Sequence, residues 1–244
     1  MRRLSRRPKL ESGTLYALNR AKRMSQHSSN STADARKRWK QARQRIWFKD
    51  VLLALRKLAG PGQACMFCSS NESSDIDHLK PKSVFPGQTF DWENLLWVCA
   101  VCNRYKGDRY PPITEPGPEI LDPAGVNPWD HLFIDRVTGL LVGVWRIEIN
   151  APDERAESTI RIVNLNREAL QERRLARVKQ LVKFARESLR RMKARPADRS
   201  KIRGEIRRFL RDPIHPDVTQ YFLDGPGGRI EPFRSLLRET VEPS

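Results

Sequence analysis

Four cysteines form two CxxC pairs, and the segment between the pairs carries further residues that could do chemistry. The pairs are Cys65 with Cys68 and Cys99 with Cys102, and they account for every cysteine in the chain. Each CxxC turn directs two thiolates toward one point, so two turns supply the four soft ligands of a closed tetrahedral zinc site. The spacing therefore predicts a structural zinc ion.

Two disulfides, or four cysteines that are simply buried, are the alternatives to a metal site. Disulfides form in oxidising compartments, and the charged first seven residues are followed by no apolar run that could act as a signal-peptide core. No stretch approaches the ~20 apolar residues that are needed to span a bilayer. We therefore expect a cytoplasmic protein with no membrane partner, and in that setting paired CxxC motifs indicate a metal.

The segment also contains Asp77, His78 and Asn94, and Asn103 follows its last cysteine. Phosphodiester hydrolysis needs a base that activates water, a cation that stabilises developing charge, and rigid placement of both. Asp77 and Asn103 could supply two oxygen ligands with open water positions, which suits Mg²⁺. His78 is a suitable base because an ordinary imidazole has a pKa of about 6.5.

Each of these residues also has a purely structural explanation. His78 could be a satisfied core histidine, Asn94 a turn residue, and Asn103 a helix cap. In the catalytic interpretation, Asn94 would instead tie the loop to the His78 ring by hydrogen bonds. Because Asp77 and His78 are neighbours, they face the same site only if the strand bends at its end. The order of all four residues around two CxxC pairs favours a catalytic site.

This order resembles a known family. Asp77-His78, Asn94 and Cys102-Asn103-Arg104-Tyr105-Lys106 resemble the HNH endonucleases of the ββα-metal superfamily, in the version braced by a four-cysteine zinc site. Over residues 65–109 the resemblance implies that Asp77 and Asn103 bind one divalent ion, Mg²⁺ or Mn²⁺. It also implies that His78 is the general base, that Asn94 holds the hairpin, and that the products carry 5′-phosphate and 3′-hydroxyl ends. Asn103 stands where the family name refers to histidine, and asparagine is a familiar variant there.

Basic residues near the motif are candidates for contact with nucleic acid. The turn after His78, Lys80-Pro81-Lys82-Ser83, also resembles the family and brings two cations near the substrate strand. Arg104 and Lys106 lie in the helix that follows the second CxxC. Lys106 would either approach a phosphate or cover the helix surface.

The net charge of +17 is distributed unevenly along the 244 residues. Residues 1–60 carry +14 and residues 167–211 carry +12, whereas residues 61–166 carry −6. Two basic flanks fit a polyphosphate partner, DNA above all, because each neutralised phosphate releases counterions. A membrane surface is the competing partner, but no lipidation motif supports it.

A second resemblance covers more of the chain and implies a partner. The residues that carry it are, in order, Phe90-Asp91-Trp92, Asn94-Leu95-Leu96, Leu121-Asp122-Pro123, Asn127-Pro128, His131-Leu132, Arg155-Ala156 and Asn164-Leu165-Asn166-Arg167-Glu168. Their order resembles the HNH subunits of Septu-type and retron-linked anti-phage systems. The resemblance implies an ATPase partner, with the C-terminal helices as a candidate docking surface.

The pattern predicts an α+β chain in four parts. Residues 1–60 would be a basic arm, mobile over 1–32, and then a helix from Ala33 to Leu58 that ends before Gly60-Pro61-Gly62. Residues 61–112 would be the zinc-braced ββα core, with strands near 76–79 and 95–98 and a helix that opens at about Asn103.

Residues 113–163 would be a loop and a β-hairpin appendage whose strands, 131–137 and 140–149, meet at Thr138-Gly139. Residues 164–244 would be a basic helical region, with one helix ended by Pro196 and a second ended by Pro213. The predicted function is a metal-dependent DNA endonuclease in anti-phage defence. A non-catalytic zinc-stabilised nucleic-acid-binding module and a docking subunit of a larger complex stay open as alternatives.

Overall fold

The computed structural model describes residues 1–26, 31–60, 62–110, 120–210 and 216–240. Within these ranges the chain forms nine α-helices and three two-stranded antiparallel sheets, which confirms the α+β prediction. Among the described residues, none of the helices has the length and apolar composition of a membrane span.

The helices are α1 (Ser12–Gln26), α2 (Ser31–Ala42), α3 (Phe48–Leu58), α4 (Ala100–Lys106), α5 (Glu154–Val163), α6 (Glu168–Ala194), α7 (Arg199–Leu210), α8 (Pro216–Leu223) and α9 (Phe233–Thr240). The strands are β1 (Ser73–His78), β2 (Leu95–Cys99), β3 (Leu132–Ile134), β4 (Leu141–Gly143), β5 (Trp145–Arg146) and β6 (Ala151–Pro152).

The segment between the cysteine pairs folds as a ββα unit. Strands β1 and β2 pair in antiparallel register, with His78 opposite Leu95 and Asp77 opposite Leu96. Strand β2 is apolar and buried at every position, as expected for a strand that is covered on both faces. Helix α4 follows β2 directly and begins at Ala100, so Asn103 lies in its second turn and not at its start.

The N-terminal region differs from its prediction. Residues 1–32 were expected to be mobile, but α1 occupies Ser12–Gln26 and buries Leu18. Ion pairs to distant residues hold this region, since Lys22 Nζ lies 2.7 Å from Asp91 Oδ2 and Arg7 Nε lies 2.9 Å from Glu93 Oε2. No local apolar pattern reveals such pairs. Residues 27–30, also part of the predicted arm, lie outside the described residues.

The helix predicted from Ala33 to Leu58 is two helices. Helix α2 ends at Ala42, turns occupy the next residues, and α3 begins at Phe48. The break lets two aromatic side chains meet, because the ring of Trp39 packs edge-on against Phe48 with centroids 5.3 Å apart. A straight helix would place residues nine positions apart on different faces.

The predicted hairpin near residue 138 is present but shorter. Strands β3 and β4 pair with Ile134 opposite Leu141, and Gly139 in the turn has φ +79°. A Cβ atom on Gly139 would lie 2.5 Å from the carbonyl oxygen of Gln171, so both the turn and the approach of α6 require glycine. Beyond β4 the chain forms the β5–β6 pair and then α5, which the sequence reading did not separate from the hairpin.

The C-terminal helices occur where the sequence placed them. Helix α6 ends at Ala194, before Pro196, and α7 runs from Arg199 to Leu210. The residues around Pro213 lie outside the described ranges. Two further short helices, α8 and α9, pack against α6. The start of α6 is the part that matters for the site, because it lies beside the cysteine cluster.

Candidate functional site

The four cysteines converge on one buried point. Their sulfur atoms all lie within 4.8 Å of one another, and Cys68 Sγ lies 3.7 Å from Cys99 Sγ. All four are free thiols. A tetrahedral ion with zinc–sulfur bonds of about 2.3 Å would separate its ligands by ~3.8 Å. The donor set and the spacing therefore fit a structural metal and exclude a disulfide between the described cysteines, although they do not identify the metal.

Two arginines at the start of α6 brace this cluster from outside. Arg167 directs both terminal nitrogens toward Cys102 Sγ, at 3.7 and 3.6 Å, and Arg173 donates to the backbone carbonyl of Cys68. Four thiolates around a divalent cation carry a net charge of −2, so a guanidinium beside one sulfur offsets that charge. No sequence motif identifies Arg167 or Arg173 as a neighbour of the cysteines, because their positions depend on the packing of α6.

Asp77 lies on the face of β1 that looks toward α4, and its partner there is a lysine. Lys106 Nζ lies 3.2 Å from Asp77 Oδ2, and Lys106 has no exposed surface. Burial raises the pKa of Asp77, with Lys106 opposing that shift, and burial lowers the pKa of Lys106, with Asp77 opposing. Lys106 is therefore buried against Asp77 and does not cover the surface of α4, whereas its contact with a phosphate stays a prediction.

Asn103 also faces β1, but its contact is with a different carboxylate. Asn103 Nδ2 donates to Asp75 Oδ2 at 3.0 Å. Asp75 and Asp77 share a face because side chains two apart on a strand point the same way, and that periodicity could have identified Asp75 from sequence. The amide nitrogen of Asn103 is committed to Asp75, so its carboxamide oxygen is the atom left for a cation.

His78 occupies the opposite face of β1 and is only 2% exposed. Its Nε2 lies 2.9 Å from the Thr89 carbonyl oxygen, and the Trp39 ring packs edge-on against it with centroids 4.5 Å apart. Burial lowers the pKa of His78 to about 3. The imidazole is therefore neutral near pH 7, but in this conformation it is covered and does not share a site with Asp77.

Asn94 fastens the loop that follows β1. Its Oδ1 accepts from the Lys80 amide at 2.7 Å, and its Nδ2 donates to the carbonyls of Lys80 and Gln88, both at 3.0 Å. The expected link from Asn94 to the histidine ring is indirect, because the ring contacts Thr89, the next residue after Gln88. Buried and fully bonded, Asn94 fixes both ends of the loop.

The remaining predicted contacts to nucleic acid lie at the surface. Arg104 is exposed on α4, and Lys80 and Lys82 are partly exposed in the turn after β1. Lys80 Nζ lies over the ring of Phe85 at 5.8 Å from its centroid. These three side chains can reach a ligand without a change in the fold.

The side chains on β1 and α4 are of the types that bind a small divalent cation. Two carboxylates and a carboxamide, from Asp75, Asp77 and Asn103, lie on facing elements, and hard oxygen ligands of this kind suit Mg²⁺ or Mn²⁺. A cation already lies against Asp77, namely the ammonium of Lys106. A divalent ion at Asp77 would therefore compete with Lys106.

A comparison with protein families identifies the same segment. Residues 65–109 match the family model described as HNH endonuclease. The match runs from the first cysteine of the cluster to just beyond α4, so it contains the cysteine cluster, β1, β2 and the facing pairs. It agrees with the resemblance that the sequence motif carries.

A comparison with curated proteins gives a more distant likeness. Over 127 residues the chain is 24% identical to the "Septu protein PtuB" of Bacillus thuringiensis. The matched region is 50% of this chain and 43% of that relative. The chain thus spans less than half the length of the relative, and the likeness extends beyond the 65–109 segment.

Proposed function

From the match of residues 65–109 to the HNH endonucleases, we propose that this chain is a metal-dependent endonuclease that hydrolyses phosphodiester bonds in DNA. One observation carries the proposal. The matched segment coincides with a buried four-cysteine cluster and a ββα unit whose strand and helix bear carboxylates and a carboxamide on facing surfaces. This combination fits a braced cation site.

The residues would divide the work as follows. Asp77 and Asn103 would hold Mg²⁺ or Mn²⁺, which when bound supplies positive charge at the scissile phosphate. His78 would accept the proton of the attacking water, and Asn94 would keep the loop between His78 and β2 in place. Lys80, Lys82 and Arg104 would contact phosphates on either side. The products would carry 5′-phosphate and 3′-hydroxyl ends.

Catalysis by His78 requires a rearrangement. A general base must lie within hydrogen-bond reach of the water that it deprotonates, whereas His78 is covered by Trp39 and bonded to the Thr89 carbonyl. Helix α2 carries Trp39, so a shift of α2 away from the loop would uncover the ring. The proposal therefore includes a closed state, which is the one described, and an open state that cleaves.

A second function is a zinc-stabilised module that binds nucleic acid without cutting it. Two observations favour it: the buried position of His78, and the ion pair between Asp77 and Lys106. In this case the hairpin and α4 would serve folding alone. Both proposed functions predict a metal ion at the four cysteines and binding to nucleic acid that weakens with salt. Only the nuclease requires a second metal ion.

The distant relative supports a role in defence. Because it is named a Septu protein, we place this chain among the components of a multi-component anti-phage system. An ATPase subunit is the proposed partner, and the C-terminal helices, apart from the exposed basic face of α6, are its proposed docking surface. The first test is whether the neighbouring reading frame encodes an ATPase; co-expression with such an ATPase and size-exclusion chromatography then test the complex directly.

The nuclease proposal is tested by incubating the zinc-loaded protein with supercoiled plasmid in Mg²⁺, Mn²⁺, Ca²⁺ or no added metal. We expect nicked and linear products in Mg²⁺ or Mn²⁺, and their loss in His78→Ala. His131→Gln is the matched control, since His131 lies outside residues 65–109 and bonds to Asp153 at 2.9 Å. End-labelling with and without phosphatase identifies the product ends.

The outcomes separate the two functions. Cleavage that is lost in His78→Ala, with thermal unfolding and plasmid binding unchanged, supports the nuclease. Binding without cleavage in every metal, both in the parent protein and in a variant that uncovers His78, supports the binding module. Equal cleavage by the parent and His78→Ala would remove His78 from the mechanism.

A further inference from the structure

Helix α6 is the longest helix among the described residues, with 27 residues from Glu168 to Ala194. At 1.5 Å per residue it is about 40 Å long. Its first turns are fixed to the cysteine cluster through Arg167 and Arg173, and its apolar stripe, which includes Val178, Leu181 and Ala185, is buried. The rest of the helix therefore extends from the ββα unit as a rigid rod.

One face of this rod is exposed and basic. The exposed side chains are separated by alternating steps of four and three residues, which places them on one face over about 21 Å. We call this face the α6 stripe, and it consists of Lys179, Lys183, Arg186, Arg190 and Lys193.

The α6 stripe carries almost no compensating charge. Arg190 pairs with Glu187 at 2.9 Å, and both side chains are largely exposed, so this pair contributes little to stability. Within the ranges that the structure covers, the other four basic residues of the stripe pair with no carboxylate. Like charges three or four residues apart destabilise a helix. Folding of α6 therefore does not explain the stripe.

Helix α7 packs against α6 and carries exposed basic residues of its own. It packs antiparallel to α6, because the Phe209 ring stacks on Phe184 at 3.9 Å and Arg191 pairs with Glu205 at 2.7 Å. Exposed Lys201 and Arg208 lie one heptad apart on α7. The two helices form a firm platform, since aromatic stacking and an ion pair join them.

We propose that the α6 stripe binds the phosphate backbone of DNA and holds it beside the catalytic unit. The inference rests on the proposed nuclease function and adds the surface that retains the substrate. A stripe of about 21 Å spans roughly six base pairs at 3.4 Å per pair. Membrane binding fits less well, because a membrane-surface helix needs exposed bulky apolar residues, whereas the apolar stripe of α6 is buried in the core.

The test measures binding to a fluorescein-labelled 20-base-pair duplex and a 20-nucleotide single strand, without Mg²⁺ or Mn²⁺ so that no strand is cut. The stripe variant combines Lys179→Gln, Lys183→Gln and Arg186→Gln. The matched control removes the same charge from three scattered exposed arginines, Arg161→Gln, Arg229→Gln and Arg238→Gln. Each lost phosphate contact lowers the slope of log affinity against log salt by about 0.9 on duplex DNA.

We expect the stripe variant to reduce that slope by about 2 to 3 on the duplex and to weaken binding about tenfold or more in 0.1 M salt. The control variant should change both the slope and the affinity less than the stripe variant does. A charge-preserving variant, Lys179→Arg with Lys183→Arg and Arg186→Lys, should bind as the parent does. Circular dichroism and thermal unfolding confirm that each variant is folded, which exposed positions should allow.

Equal slopes for the stripe and control variants would overturn the inference. So would a stripe variant that keeps DNA binding but loses binding to vesicles of phosphatidylserine and phosphatidylcholine, since the partner would then be a membrane. Failure of the nuclease function is a separate result. If the parent protein never cleaves DNA but the stripe variant loses DNA binding, the proposed DNA-binding surface is supported and the proposed nuclease activity is refuted.

Discussion

Lys106 Nζ lies 3.2 Å from Asp77 Oδ2, so the carboxylate that we propose as a ligand of the divalent ion is already paired with an ammonium group. Lys106 is fully buried and the Asp77 side chain is 11% exposed. A buried ion pair loses hydration on both sides, so its net contribution to stability is small, but removal of one partner leaves an uncompensated charge. A divalent ion that binds Asp77 would therefore compete with Lys106.

Replacement of Lys106 by methionine tests this competition. Without divalent ions we expect Lys106→Met to lower the free energy of unfolding by about 3 to 5 kcal/mol, because the Asp77 carboxylate stays buried without its ammonium. Added Mg²⁺ or Mn²⁺ should restore more stability to the variant than to the parent protein. Urea unfolding in the presence of increasing metal concentrations measures both effects.

The double variant Asp77→Asn with Lys106→Met is the matched control for that prediction. It removes both charges, so it should be more stable than Lys106→Met alone and should not respond to Mg²⁺. The double-mutant cycle then gives the coupling energy of the pair. Equal metal responses in Lys106→Met and in the double variant would show that the divalent ion does not bind at Asp77.

Removal of the structural metal should unfold the hairpin region. Metal binding to a cysteine cluster contributes directly to folding, because the unfolded chain has no preformed site. We expect a chelator, or the variant Cys99→Ser, to lower the unfolding temperature and to abolish nuclease activity. Re-addition of Zn²⁺, but not of Mg²⁺, should restore the chelated parent protein. A metal-free protein with an unchanged unfolding temperature would contradict the structural role.

Arg167 should tune the affinity of that metal. Among the described residues, its guanidinium is the cationic group that donates a hydrogen bond to one of the four cysteine sulfurs, Cys102 Sγ, at 3.6 Å. Changes to groups that surround a metal site commonly cost 10- to 100-fold in affinity, and we expect about that loss in Arg167→Met. Competition with a colorimetric zinc chelator measures it. Arg161→Met removes the same charge from an exposed turn of α5 and should leave the affinity unchanged.

The elements that sequence predicted are those with strong local patterns. The two CxxC pairs, the apolar strand β2 and the long periodicity of α6 are enough to predict the ββα unit and the C-terminal helices. Gly139 and Pro196 marked a turn and a helix end because their backbone preferences are intrinsic. These features do not depend on residues elsewhere in the chain.

The missed features depend on distant partners. Lys106 was predicted either to approach a phosphate or to cover the surface of α4, and tertiary packing places it against Asp77. Helix α1 buries one apolar side chain, Leu18, in the core, and it is also held by long-range pairs such as Lys22 with Asp91. Trp39 covers His78 across 39 positions of sequence, a contact that no motif encodes. Spacing predicts which residues share an element, whereas tertiary packing decides which of them meet.

The cover over His78 can be removed by one substitution. We expect Trp39→Ala to raise nuclease activity and the pKa of His78 toward its ordinary value, because the edge-on ring no longer excludes water. The substitution should also cost about 3 to 5 kcal/mol of stability, as is typical for a buried tryptophan. Trp47→Ala is the matched control, since Trp47 packs on Phe48 at 5.6 Å and not on His78. Equal effects of both variants on cleavage would show that general loosening, and not exposure of His78, sets the rate.

Burial of His78 should also make folding sensitive to acid. Its pKa of about 3 in the folded protein lies below the value of about 6.5 expected when the chain is unfolded. Between these values the unfolded state binds a proton that the folded state does not. The contribution of neutral His78 to the free energy of unfolding is therefore fully present above about pH 6.5. It falls as the pH drops toward 3, by up to about 1.4 kcal/mol per pH unit.

Urea unfolding from pH 7 to pH 5 measures this effect. The free energy of unfolding should decline less steeply in His78→Gln than in the parent protein. An imidazole resonance of His78 that titrates near pH 6.5 in the folded protein would contradict the buried position.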